Sequence, residues 1–165
     1  MNKVASVVKV GIADLKIVKS PNTIRTSGLG SCVGVIVYDL SNQIAGLAHI
    51  MLPESSLSKQ SDLNPYKYAD TAINSLISMI LEQGAVKLYL KAKIAGGAQM
   101  FPNQLSNEVM RIGPRNVDAV LTHLHEYGIP VIASDVGGHN GRTIIFDPKT
   151  GDLKIRTVSK SEVVI

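Results

Sequence analysis

The chain has 165 residues, 45% of them hydrophobic, with 17 Lys and Arg against 13 Asp and Glu and a net charge of +4 at pH 7. That length suits one domain, residues 1–165, with a single core, and scattered cations beside only 4% aromatic residues argue against a nucleic-acid binder. One cysteine excludes an internal disulfide and a cysteine-rich zinc site, no apolar run is long enough to span a bilayer, and Lys9 interrupts the early apolar stretch where a signal peptide would need its core, so a cytoplasmic chain is expected.

From Val4 to Val18 apolar and polar residues alternate loosely, which predicts one or two half-buried strands ending at Pro21-Asn22. Val33 to Tyr38 is rich in β-branched residues and is followed by the turn residues Asp39, Ser41 and Asn42 and by a second apolar stretch, Ile44 to Leu52. A hairpin of two strands is the simple reading, and it brings Cys32 near His49. The polar stretch from Pro53 to Pro65 predicts an exposed loop beside His49.

From Tyr66 to Gln83, apolar residues at 69, 72, 73, 76, 77, 80 and 81 follow amphipathic-helix spacing, stopped by Gly84. Val86 to Ile94 alternates as a strand with one wet side, formed by Lys87, Tyr89, Lys91 and Lys93, and Gly96-Gly97 breaks it. A second helix is expected from near Pro114, burying Val117, Val120, Leu121 and Leu124 before Gly128 and Pro130. Val131 to Ala133 and Thr143 to Phe146 read as strands around the Gly137-Gly138-His139-Asn140-Gly141 turn, and a last strand runs from Leu153 to Val158 after the turn at Asp147 to Gly151.

Cys32 ends the run Thr26-Ser27-Gly28-Leu29-Gly30-Ser31-Cys32, where glycines let backbone N–H groups cluster near a thiol. Such a cluster can stabilise an oxyanion, Gly30 and Ser31 being the loop candidates, and an imidazole such as His49 can serve as the base. The residues alone leave Cys32 open between this role and that of a small buried apolar side chain. His123 and His125 point to opposite sides of the predicted helix and His139 sits in a glycine turn, so no metal site is assigned. The glycine run lacks the further glycine and the lysine of nucleotide-phosphate loops, and Gly96-Gly97 and Gly137-Gly138 read as tight turns.

Six ordered motifs together carry a resemblance. They are Thr26 with Gly28 to Cys32, Ala48-His49-Ile50-Met51-Leu52-Pro53, Lys67-Tyr68-Ala69-Asp70, Ala92 to Phe101, Ile112-Gly113-Pro114-Arg115-Asn116, and Gly137 to Arg142. On these the sequence resembles the chemoreceptor glutamine deamidase family of bacterial chemotaxis, CheD. The resemblance implies a protein-glutamine glutaminase, a cysteine hydrolase that converts receptor glutamine side chains to glutamate and ammonia. It implies Cys32 as nucleophile, favoured as thiolate by pairing with protonated His49, His49 as acid and base, and Thr26 as the residue that orients the imidazole, with Ser27 as a competing hydroxyl.

The implied fold is α+β, a layered α/β/β sandwich with mixed sheets and two main helices, similar to the catalytic domain of the cytotoxic necrotizing factor toxins. No cofactor or metal is expected. The implied partners are the cytoplasmic helices of methyl-accepting chemoreceptors and the phosphatase CheC, met by a monomer at membrane receptor clusters. A mainly non-catalytic adaptor for receptor and CheC is the competing reading; a dithiol redox role is disfavoured because no resolving cysteine is present.

Overall fold

The computed structural model describes residues 4–58, 63–100 and 111–165. Among these residues the order of elements is β1 (Val7–Lys9), β2 (Leu15–Lys19), β3 (Thr23–Leu29), β4 (Val33–Asp39), β5 (Ile44–Ile50), α1 (Ala69–Glu82), β6 (Lys91–Gly96), α2 (Ile112–Glu126), β7 (Val131–Val136), β8 (Arg142–Phe146), β9 (Leu153–Thr157) and β10 (Lys160–Val164). The strands form two sheets, β1-β3-β8-β9-β10 and β2-β5-β4-β6-β7. Both are mixed, because β1 runs parallel to β3 and β6 parallel to β7 while the other pairs are antiparallel. The α+β expectation holds, with two helices and two mixed sheets.

The layering follows from the side-chain period of two along a strand. Val33, Val35 and Val37 of β4 pack with Ile73, Leu76 and Ile80 of α1 and with Val120 and Leu124 of α2. Ile36 and Tyr38, on the opposite face, pack with Ile24, Ile144, Phe146 and Ile155 of the other sheet. The β2-β5-β4-β6-β7 sheet is therefore the middle layer, covered on both sides, which is why every residue of β4 and β5 is buried. Each fully buried Ile or Leu contributes about 1.5–3 kcal/mol by burial.

The predicted hairpin forms with β4 paired to β5 from Val33↔Ile50 to Asp39↔Ile44. Asp39 organises its turn by accepting from Asn42 N–H at 3.1 Å, Asn42 Nδ2 at 2.7 Å and Val86 N–H at 2.9 Å. Burial pushes its carboxyl up, but the hydrogen bonds from Val86, Asn42 and Ser41 outweigh that and hold it below the usual carboxylate range.

The Val86 bond also corrects the strand expected over Val86 to Ile94. With its N–H held by Asp39, the chain folds into a short 3-10 turn over Lys87–Tyr89 and the strand starts only at Lys91. Leu88, expected inward, is 92% exposed. Lys93, expected on a wet face, is buried between the sheets and donates to Gly151 O at 2.6 Å and Ile165 O at 2.8 Å.

The second helix starts two residues earlier than expected, at Ile112. Its buried stripe is Gly113, Asn116, Val120 and Leu124, which turns Leu121 outward to 40% exposure and leaves Val117 half-buried. The expected Pro53–Pro65 loop includes a short 3-10 turn over Ser55–Leu57 and a buried Pro53, while 59–62 fall outside the described residues. Two strands, β3 and β10, have no counterpart in the sequence reading.

Candidate active site

Thr26 sits in the middle of β3, where alternation turns Ile24 and Thr26 toward the middle sheet and leaves Arg25 and Ser27 on the other face. His49 lies near the end of β5 with the same parity as Ala45 and Leu47, so its ring enters the layer between the sheets. Its cross-strand partner on β4 is Gly34. A Cβ at Gly34 would lie 2.7 Å from Ile144 Cδ1, so the absent side chain lets the two sheets close around the imidazole.

Thr26 Oγ1 is 2.7 Å from His49 Nδ1 and 2.8 Å from Val10 O. A carbonyl can only accept, so the single hydroxyl proton of Thr26 goes to Val10 and the hydroxyl oxygen must accept from His49 Nδ1–H. That fixes the neutral tautomer and leaves Nε2 as a lone pair. Nε2 is buried and has no hydrogen-bond partner among the described residues. Ser27 is exposed and lies on the far face of β3, so the orienting hydroxyl in this geometry is that of Thr26.

Cys32 is half-buried, one residue before β4, at the same end of the hairpin as His49. Burial pushes the thiol pKa up, and its own backbone N–H offsets only part of that. Burial lowers His49 to about 4. Both shifts favour the uncharged form, a thiol at Cys32 and an imidazole at His49. The physical reason is that the partner of Nδ1 is an uncharged hydroxyl; it selects a tautomer as a carboxylate does but supplies no charge to support an imidazolium.

The loop before Cys32 is held from outside. Gly97 N–H donates to Cys32 O and Ala98 N–H to Gly30 O, both at 2.8 Å. Gly96 permits this approach: its φ is +112°, and a Cβ there would meet Cys32 O at 2.3 Å. Behind this strap, Gly137 N–H donates to Gly96 O at 3.0 Å, Gln99 N–H to Gly138 O at 2.9 Å and His139 Nδ1–H to Gln99 O at 2.9 Å. Arg142, which is buried, donates to Gly137 O at 2.9 Å and Asp135 Oδ1 at 3.3 Å.

The two glycine turns that looked unspecific are thus one bracket around the Cys32 loop. Arg142 and Gly96 were quoted in the sequence only as parts of motifs, with no role; their signal was the recurrence of paired glycines, which becomes meaningful once the turns meet. Phe101, the last residue of one motif, lies outside the described residues.

Among the oxyanion candidates, Gly30 already donates its N–H to Gly28 O at 3.1 Å. The N–H of Ser31 precedes the thiol in that loop, and the N–H of Cys32 itself faces its own sulfur. His123 lies beside Glu54 at 3.3 Å and Glu126 at 3.2 Å, and His125 is exposed. Among the described residues no three His, Cys, Asp or Glu converge as metal ligands, and no helix is long and apolar enough to cross a membrane.

Comparison with known proteins adds a family. Residues 51–157 match the family described as CheD chemotactic sensory transduction, a span that starts just after His49. A chemoreceptor glutamine deamidase CheD of Bacillus licheniformis is 53% identical over 165 residues, covering 100% of this chain and 98% of the relative. Proteins of the same name from Bacillus subtilis and Halalkalibacterium halodurans are 55% identical over 161 residues and 58% identical over 156, covering 98% and 94% of this chain and 97% and 96% of the relatives. With a match over more than half its length and relatives aligned almost end to end, the chain belongs to the CheD family of chemotactic sensory transduction proteins.

Proposed function

We propose that this protein deamidates specific glutamine side chains on chemoreceptors, with Cys32 as nucleophile, His49 as general base and acid, and Thr26 orienting the imidazole. The observation that carries the reading is the Thr26–His49 hydrogen bond, which commits Nδ1 and leaves a buried Nε2 lone pair without a partner. The names of the relatives supply the substrate class.

Starting from neutral groups, attack is coupled to proton transfer. The Cys32 S–H proton passes to His49 Nε2 as sulfur bonds to the carboxamide carbon, and the N–H groups of Ser31 and Cys32 receive the developing oxyanion. His49 Nε2–H protonates the nitrogen, the C–N bond breaks, and ammonia leaves a thioester. A water molecule then gives a proton to Nε2 and its oxygen attacks the thioester. The C–S bond breaks, His49 returns the proton to sulfur, and the product is glutamate. Every step uses side chains and backbone of this chain, with no metal or organic cofactor.

The test uses receptor cytoplasmic fragments incubated with the wild type and with Cys32→Ala. Conversion, read as the mass gain at single glutamines, is expected from the wild type and is expected to fall to background in Cys32→Ala. Equal conversion by both would sink the proposal. The reading includes a monomer acting in the cytoplasm at receptor clusters, and a fold like that of the cytotoxic necrotizing factor catalytic domain.

A second duty belongs to the same proposal: docking of the phosphatase CheC over the mouth of the site. Met100 supports it, being 42% exposed while its Cγ lies 3.3 Å from where a Gly30 Cβ would stand, so an apolar side chain lies open beside the nucleophile loop. A Cys32→Ala protein that still binds CheC but restores no chemotaxis in a deletion strain assigns the dominant role to catalysis; full restoration assigns it to the adaptor.

A further inference from the structure

We infer that Asn116 is a positioning residue for the Cys32–His49 pair, its side-chain amide bridging the backbone just before the nucleophile to the backbone just after the base. The inference rests on the catalytic reading above. Asn116 Nδ2 donates to Ser31 O and to Met51 O, each at 2.9 Å. Ser31 precedes Cys32, and Met51 lies two residues beyond His49.

The need for such a bridge is visible in the ladder. Pairing of β4 with β5 ends at Val33↔Ile50, and beyond it Met51 turns away to donate its N–H to Lys67 O at 2.9 Å. The loop and the segment carrying the two reactive residues part at that point. Asn116 supplies a side-chain rung where the backbone rungs stop. Both acceptors are carbonyls, so the NH2 end must face them and the amide orientation is not ambiguous. A hydroxyl has one proton and could serve only one of the two.

The other end of the side chain shows that packing does not explain the residue. Asn116 is fully buried, yet its Oδ1 has no hydrogen-bond partner among the described residues. An unpaired buried carbonyl is a cost that a leucine of the same branched shape would not carry. The two N–H donors are what the position gains in return. Asn116 is itself held in a stiff frame, because a Cβ at Gly113, one turn earlier on α2, would stand 2.3 Å from Ala98 O and 2.7 Å from Gly97 O. That close seating puts α2 directly on the strap that holds Cys32 O and Gly30 O.

The test compares full-length wild type, Asn116→Leu and Asn116→Ala, with Cys32→Ala as control, on a receptor cytoplasmic fragment. It reads kcat, KM, Tm and the rate of Cys32 alkylation by iodoacetamide between pH 6 and pH 10. A shift of about 1 Å between reacting groups can cost roughly a hundredfold, so kcat is expected to fall about ten- to a hundredfold in both Asn116 variants. KM should stay within about threefold, and the alkylation profile should differ from wild type. Asn116→Leu keeps the branched shape and the number of side-chain heavy atoms, so its kcat should fall even where Tm is unchanged.

A folded Asn116→Leu with wild-type kcat and alkylation profile overturns the inference while an inactive Cys32→Ala leaves the catalytic reading standing. An active Cys32→Ala overturns the catalytic reading itself. Should neither Asn116 variant fold, the wild type still decides: its Asn116 side-chain amide protons are expected to exchange slowly with solvent, and rapid exchange of both overturns the bridge.

Discussion

His49 and Lys93 occupy adjacent rows of the same layer. Both sit on strands of the middle sheet with side chains turned toward the outer sheet, His49 opposite Gly34 and Lys93 opposite Ile36, and both are buried. Lys93 spends its ammonium on Gly151 O and Ile165 O and lies 5.9 Å from the centre of the Tyr38 ring. His49 spends one nitrogen on Thr26 and leaves the other unpaired. Burial lowers the pKa of both. Lys93 thus uses its hydrogen-bonding capacity to tie the sheets together, whereas His49 retains an open ring position.

Four changes sharpen or break that contrast. The largest effect is expected from His49→Gln, which removes the Nε2 base; deamidation of a receptor fragment should fall by roughly 10²–10⁴-fold with the protein still folded. Near-normal turnover would place His49 with Lys93 as a structural group. Thr26→Val, of similar shape, should cost on the order of 10²-fold in kcat by releasing the tautomer, while Thr26→Ser keeps the hydroxyl and should lose far less. Equal losses in both would show that the methyl, not the hydrogen bond, matters.

The pH dependence comes next. His49 is lowered from 6.5 to about 4 in the folded state, so below pH 6.5 the unfolded chain binds a proton that the folded one refuses. Stability from this group is fully present above pH 6.5 and is lost as pH falls toward 4, up to about 3 kcal/mol in all. Denaturant titrations across that range should show the loss in wild type and much less of it in His49→Gln. The acid limb of kcat/KM should correspondingly lie near pH 4 instead of 6.5.

Lys93→Met is the smallest change, a stability loss of about 1–3 kcal/mol from carbonyls left without their donor, with kcat of the folded protein unaltered. A fall in kcat there, with folding intact, would erase the distinction between the two buried groups.

Much of this architecture was legible beforehand, because burial leaves a period in the sequence. The α1 stripe, the β4–β5 hairpin with its turn, and the strands over Val131 to Thr157 were read from apolar spacing and turn residues. The hairpin reading also carried His49 to the same end as Cys32. What failed did so where long-range contacts overrode local pattern. Asp39 captures Val86 N–H and bends a segment that alternates like a strand; Lys93 is drawn inward by distant carbonyls; and β3, short on apolar residues, is a strand because β1 and β8 flank it.

Thr26 and the α+β fold came from the family resemblance of the motifs, while Cys32, His49 and the hairpin that brings them together could be nominated from residue type and spacing, which record which groups can react and which faces must be buried. Their states could not. The tautomer of His49, the contact of Thr26 rather than Ser27 with its ring and the bridge made by Asn116 depend on hydrogen bonds between residues 16 to 85 positions apart. Such bonds have directions and distances only when the two sheets and α2 are closed upon one another, and only then does a buried nitrogen have, or lack, a partner.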